Sequence, residues 1–266
     1  MSHPQSSCGL GRVEPLPAAP PTQAEPLQPH PWTLGQPPPP IPQGATHPLV
    51  LLLSCHPPLD TEAQNTLLAS LSAEERQRHR SYLRPADQAR FLQARAGLRQ
   101  LLGHWLGRPP TAIAIEADSR GKPRCCHPGA PAFNGSHSGN LILLAFHATA
   151  EVGVDVEQAR PHLPWEPIAE RCLSPAEVAE LRALPLAEQA NGFLAAWCRL
   201  EARVKASGVG LGGAAEQSPP DGAPRPALRL WDVQVPAHYR AAAALLATPR
   251  APVEAGAGLC RPSPQP

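Results

Sequence analysis

The chain has 266 residues, a formal net charge of +1 and 37 prolines. This length allows one large domain or two small ones with a sizeable core, and the near-neutral charge gives no global attraction to nucleic acid. No apolar run reaches the roughly 18 residues of a membrane span, and the N-terminus lacks a signal peptide's basic-then-apolar pattern, so no membrane partner and a cytoplasmic setting are expected.

Residues 1–47 are rich in Pro, Gln, Ala and Gly, with four consecutive prolines at 37–40. Such a composition is expected to form a disordered tail, dispensable for activity. A folded N-terminal subdomain is expected over 48–148. It opens with an apolar strand, Val50 to Leu53, and a polar helical stretch around Ala63 to Arg80. Pro85 then starts an amphipathic helix carrying Phe91, Leu98 and Trp105 at seven-residue spacing, with Leu101 and Leu102 between the last two; only Ala94 fills the earlier turn. Gly107 and Pro109-Pro110 end it. Ile113 and Ile115 read as strand, Arg120 to Pro123 as a turn, Phe133 as the start of a short strand, and Leu141 to Phe146 as a buried one.

A C-terminal subdomain, expected over 149–252, carries a strictly alternating segment. Val152, Val154 and Val156 face one way; Gly153, Asp155 and Glu157 face the other. Ser174-Pro175-Ala176-Glu177 is a capping box with Pro at the first helical position. A long helix is expected from Leu186 to Ser207, stopped by Gly208, then a strand from Leu228 to Val233. Residues 241–247 are Ala/Leu-rich and helical by composition. Residues 253–266 read as a second loose tail.

Asp155 and Glu157, two apart on a strand, place carboxylates roughly 7 Å apart at Cβ. Their repulsion is relieved by a divalent cation, and hard oxygen ligands suit Mg²⁺; the alternative is an ordinary solvated strand face. Trp197, Glu201 and Lys205 share one helix face, so Glu201 and Lys205 read either as an i,i+4 salt bridge or as a metal ligand or base beside a phosphate contact. Of 23 Lys and Arg, only Lys122 and Lys205 are lysines, and a compact ammonium suits a phosphate. Ser136, His137 and Ser138 cluster further donors. Arg76, Arg78, Arg80 and Arg84 form a basic stretch whose plainer meaning is a solvated face. Cys125-Cys126-His127 lacks zinc-ligand spacing. On the residues alone, a metal-dependent nuclease or phosphodiesterase and a non-catalytic scaffold protein remain alternatives.

The order of GKP at 121–123, FNGSHSG at 133–139, GVDVE at 153–157 and WCRLEARVK at 197–205 resembles the 4′-phosphopantetheinyl transferase superfamily, of the surfactin- and enterobactin-synthetase-activating type. The resemblance implies an α+β fold of two similar subdomains related by a pseudo-twofold, each a small antiparallel sheet packed on a long helix, with 241–247 a strand. It implies transfer of the phosphopantetheine arm of coenzyme A to a serine of an acyl or peptidyl carrier protein by a monomeric enzyme. Mg²⁺ would sit on Asp155, Glu157 and Glu201. Glu201 and Lys205 would be catalytic. Lys122, Ser136, His137, Lys205 and an arginine of the 78–84 stretch, with Arg80 and Arg84 as candidates, would hold coenzyme A. Two departures stand out. Leu200 replaces the family's usual lysine, with Arg199 or Arg203 as possible substitutes, and Gly135 is expected to loosen its strand.

Overall fold

A computed structural model describes residues 21–208 and 227–249; the expected tail at 253–266, the first twenty residues and nearly all of the 212–227 stretch lie outside them. The described elements run β1 (His30–Pro31), β2 (Leu49–Ser54), α1 (Thr61–Ser70), α2 (Ala73–Ser81), α3 (Pro85–Leu106), a 3₁₀ turn (Pro110–Ala112), β3 (Ile115–Ala117), β4 (Pro123–Cys125), β5 (Ala132–Ser138), β6 (Leu141–His147), β7 (Ala150–Gln158), α4 (Trp165–Cys172), α5 (Pro175–Ala183), α6 (Leu186–Ser207), β8 (Leu228–Asp232) and β9 (Tyr239–Pro249). The fold is α+β, and no described helix is long and apolar enough to cross a membrane.

Two sheets carry the architecture, in the strand orders β1-β2-β6-β5 and β7-β9-β8. The second is wholly antiparallel, whereas the first gains a parallel strand at its edge, β1. Alternation in β6 and β7 explains the layering. Leu141, Leu143 and Ala145 pack with Val152, Val154 and Val156 between the sheets. The opposite face of β6, Ile142, Leu144 and Phe146, meets Leu98, Leu101 and Leu102 of α3. On the far side, Cys198, Ala202 and Ala206 of α6 meet Ala242 and Ala244 of β9. The order of layers is therefore α3, sheet, sheet, α6, with both strand faces apolar as expected of sandwiched sheets.

Several expectations are corrected. The stretch from Ala63 to Arg80 is two helices, because Ser72 forms a capping box with Glu75 and restarts the chain. The helical stripe of α3 is broken where only Ala94 filled it: Phe91 packs with Leu67 and Leu71 of the α1 region, while Leu98 onward packs on the sheet. The Ala-rich segment 241–247 is a strand, as the resemblance implied. Ala242 and Ala244 are fully buried beneath α6, and small side chains are what let a helix lie close to a central strand. Gly135 does not interrupt β5, which pairs with β6 without a break; a Cβ there would stand 2.9 Å from Leu144. Elements α4 and β4 were not read from the sequence.

The proline-rich segment needs the largest correction. Its second half, residues 21–47, is laid along both sheets. Gln23 and Leu27 donate backbone hydrogen bonds to Leu230 and Asp232, and Trp32 donates to Leu52. Trp32 is 6% exposed; its ring edge sits where a side chain at Gly97 would stand, 3.2 Å from that glycine's absent Cβ. Trp105 Nε1 donates to the Pro39 carbonyl at 3.1 Å. Proline lacks the amide donor that a sheet interior requires, but a segment on sheet edges can use its few remaining amides for pairing.

Candidate active site

The site is built on a seam between β5 and β7, each an edge strand of its own sheet. The β7 amides facing β5 would be orphaned. Polar side chains at alternate positions of β5 accept them instead. Val154 N–H donates to Asn134 Oδ1 at 3.0 Å, Val156 N–H to Ser136 Oγ at 3.4 Å, and Gln158 N–H to Ser138 Oγ at 3.1 Å. Both hydroxyls then donate onward, Ser136 to Asp155 Oδ1 at 2.8 Å and Ser138 to Glu157 Oε2 at 2.9 Å. The two carboxylates thus point from β7 under hydroxyls of β5.

Helix α6 closes the site from the other side, and Gly153 permits it. A Cβ at 153 would stand 2.0 Å from the Ala202 carbonyl and 2.5 Å from the Ala206 amide, so only glycine allows the helix backbone this close. Two residues on, Asp155 meets Lys205, whose ammonium donates to Oδ1 at 2.6 Å and lies 3.4 Å from both Ser136 Oγ and the Val154 carbonyl. Asp155 is 4% exposed, and its Oδ2 is buried with no hydrogen-bond partner among the described residues. Beside it, the fully buried Cys198 directs its thiol to the Arg240 carbonyl at 3.3 Å. Burial, and then the Asp155 carboxylate, push that thiol far above the ordinary range.

Glu157 and Glu201 lie within electrostatic reach of Asp155, although the described residues hold no group of three or more His, Cys, Asp or Glu side chains already gathered around a metal position. Burial first, and then the Asp155 charge, raise the Glu157 pKa, against lowering by the Ser138 hydrogen bond, Arg160 and Lys205. Glu201 is raised by burial; Lys205 opposes this, while Asp155 and Glu157 reinforce it. The α6–β7 contact is thus rich in negative charge, opposed by the Lys205 ammonium and, at Glu157, by Arg160.

The predicted residues separate into two groups. Asp155, Glu157, Glu201, Lys205 and Ser136 come together. His137 lies on the opposite, exposed side of β5. Although the residue as a whole is solvent-accessible, desolvation of its ring by the surrounding protein lowers the imidazole pKa, against a raising backbone hydrogen bond, and the Arg90 and Lys205 charges lower it further. Lys122 is 8% exposed and fully engaged: its ammonium donates to Glu151 at 2.7 Å and to the Val152 and Ala206 carbonyls at 3.2 Å. Three donors meet three acceptors, so Lys122 ties the end of α6 to β7 and has none left for a phosphate.

Arg80 and Arg84 are exposed, at the end of α2 and at the N-cap of α3. The guanidinium that reaches the SHSG turn is Arg90, which donates to the Gly139 carbonyl at 2.8 Å and pairs with Asp87. It lies six residues beyond Arg84, the last arginine of the basic stretch. Gly139 itself is left-handed (φ 54°), and a Cβ there would stand 2.4 Å from the Tyr239 hydroxyl. Leu200 is 3% exposed in the apolar cluster with Trp165, Leu181 and Phe193, so its side chain is turned away from the carboxylates. Arg199 does not take the place of a lysine there, since its guanidinium is held in a two-pronged pair with Asp232, Nε donating at 2.8 Å and Nη2 at 2.7 Å.

Cys125-Cys126-His127 forms no metal centre among the described residues; His127 Nε2 instead accepts from the Ala114 amide at 3.0 Å.

Comparison with known proteins agrees with this architecture. Residues 151–249 match the model of the 4′-phosphopantetheinyl transferase superfamily, and residues 58–149 match that of the 4′-phosphopantetheinyl transferase N-terminal region. The chain is 38% identical over 160 residues to the 4′-phosphopantetheinyl transferase HetI of Nostoc sp. (strain PCC 7120), covering 58% of this chain and 67% of the relative. It is 31% identical over 156 residues to a 4′-phosphopantetheinyl transferase of Bacillus subtilis, with the same coverage of 58% and 67%. To the AcpT 4′-phosphopantetheinyl transferase of Escherichia coli K12 it is 38% identical over 110 residues, 41% of this chain and 55% of the relative. The chain belongs to the 4′-phosphopantetheinyl transferase superfamily and is an enzyme of that kind.

Proposed function

We propose that this enzyme transfers the 4′-phosphopantetheine group of coenzyme A to a serine hydroxyl of an acyl or peptidyl carrier protein in the cytoplasm, as a Mg²⁺-dependent monomer, releasing adenosine 3′,5′-bisphosphate. The observation that carries this reading is Asp155: one oxygen is held by Ser136 and Lys205 while the other is buried without a partner. An orphaned buried carboxylate oxygen beside two further carboxylates fits a hard cation. Asp155, Glu157 and Glu201 would hold Mg²⁺, which would neutralise charge developing on the pyrophosphate as its bond breaks.

The chain's own groups supply the rest. Glu201 accepts the proton of the incoming serine at a carboxylate oxygen; its raised pKa brings it closer to the operating pH, as suits a general base. The serine oxygen bonds to the phosphorus that carries pantetheine, and the bond from that phosphorus to the adenosine bisphosphate breaks. Lys205 places its positive charge beside the reacting phosphates. His137 and Arg90, on the exposed side of the seam, offer positive or neutral donors to coenzyme A phosphates, with Arg80 and Arg84 on the same helical region.

In this reading the two halves, 48–148 and 149–252, are subdomains related by a pseudo-twofold, with the coenzyme A cleft between them. Its support is that α3 and α6 both have 22 residues, both end on a left-handed glycine (Gly107 and Gly208), and each packs on one sheet.

The test is mass spectrometry of an apo carrier protein incubated with coenzyme A, Mg²⁺ and enzyme. The expected result is a phosphopantetheine mass increment that EDTA prevents and that Glu201→Gln abolishes without changing the far-UV spectrum. Wild-type labelling by that variant overturns the mechanism, and nucleic-acid cleavage without coenzyme A overturns the function.

A further inference from the structure

We infer that Ser138 is a positioning residue for Glu157: its hydroxyl fixes the orientation of that carboxylate and so sets the divalent-metal affinity of the site. This rests on the metal reading above and adds to it a residue that acts through Glu157.

The three seam residues differ in what lies beyond the β7 amide. Asn134 accepts from Val154 N–H and its seam bond ends on the backbone. Ser136 is shared between Val156 N–H, Asp155 and Lys205, so removing it disturbs an ion pair as well. Ser138 has a simple two-bond geometry. It accepts from Gln158 N–H at 3.1 Å, and that bond orients its lone pairs; it donates its one proton to Glu157 Oε2 at 2.9 Å. Because the amide and the carboxylate belong to the same strand one residue apart, the hydroxyl holds Glu157 in a fixed relation to the β7 backbone.

The surroundings make this link necessary. Asp155 repels Glu157 from two residues away on the same face, and without an anchor the longer side chain would swing away from Asp155. Ser138 is 7% exposed, so water has little access to replace its proton. The next residue, Gly139, is wedged against Tyr239 and Gln158, which keeps the end of β5 from drifting. Partners that orient metal-binding side chains in this way change metal affinity by about 10–100-fold when removed.

The experiment is a Mn²⁺ titration of the full chain, free of coenzyme A and carrier, read by electron paramagnetic resonance, with thermal unfolding in EDTA recorded in parallel. Ser138→Ala should weaken Mn²⁺ binding about 10-fold or more. Asn134→Ala removes an equivalent seam bond and should shift the thermal midpoint while leaving Mn²⁺ affinity within about 2-fold, since its bond ends on the backbone. Ser138→Cys, near in size but a weak donor, carries the test if the alanine variant does not fold, and should also weaken binding. Wild-type Mn²⁺ affinity in a folded Ser138 variant overturns the proposal and leaves the metal reading intact, as does equal loss in Asn134→Ala. Absence of Mn²⁺ binding by the wild type overturns the metal reading itself and this proposal with it.

Discussion

Lys205 forms its ion pair with Asp155, 2.6 Å away across the α6–β7 contact, although Glu201 stands four residues before it on the same helix. The helical spacing made an i,i+4 bridge the simple alternative. Packing decided otherwise, because Gly153 brings α6 so close to β7 that the ammonium reaches the strand. One consequence is energetic. Removing one partner of a buried pair leaves the other charge desolvated. Lys205→Met should therefore lower stability in EDTA by about 2–4 kcal/mol, at the lower end of the buried-pair range because the lysine is partly exposed. Urea unfolding at neutral pH measures it, and Asp155→Asn in the same chain should recover part of the loss.

The raised carboxylates predict a pH dependence of opposite sign to ordinary acid unfolding. Glu157 and Glu201 hold protons more tightly folded than unfolded. Their stability contribution is full below the unfolded pKa of about 4.3 and is lost as pH rises through the raised folded values. Glu151 acts in the opposite sense: burial alone would raise its pKa, but Lys122 and Arg124 more than offset this and lower it. The clean measurement is the difference between wild type and Glu201→Gln in EDTA. The variant should melt higher at pH 7, and the gap should narrow as pH falls toward about 4.3. A gap that widens on acidification would contradict the assignment.

The proline-rich segment was expected to be a dispensable tail, and its burial reverses that expectation. Trp32 sits in the core between α3 and β2. Trp32→Ala should cost about 3–5 kcal/mol, the usual range for a buried Trp or Phe. Deleting residues 1–47 should cost at least as much and lower labelling activity at 37 °C. Calorimetry of both variants checks this, and wild-type melting of the truncated chain would show that the strap adds nothing.

Much of the fold could be read locally. The bounds of α6, the capping box at Ser174, the αL stop at Gly107 and the alternation of β7 are set by residues within about four positions of each other, and helix caps and strand pleats act over that range. The site was legible as residue types, since Asp155, Glu157, Glu201 and Lys205 stood out by spacing. Their partners were not. Lys122 looked like a phosphate contact until Glu151 was found against it. Arg90 carries no local signal, because its guanidinium meets the Gly139 carbonyl 49 residues along the chain.

The sequence by itself determined the principal helices and strands and which carboxylates could share a face, and its ordered motifs implied the α+β class and the strand at 241–247 by resemblance. Only the tertiary structure decided that Ala241 to Leu245 are buried on both faces, that residues 21–47 bind both sheets, and that Ser136 and Ser138 serve carboxylates on another sheet. The physical reason is range. Periodicity and capping are interactions between near neighbours in the chain, whereas burial on both faces of a strand, or the orphaned amides of an edge, exist only once distant segments have packed together.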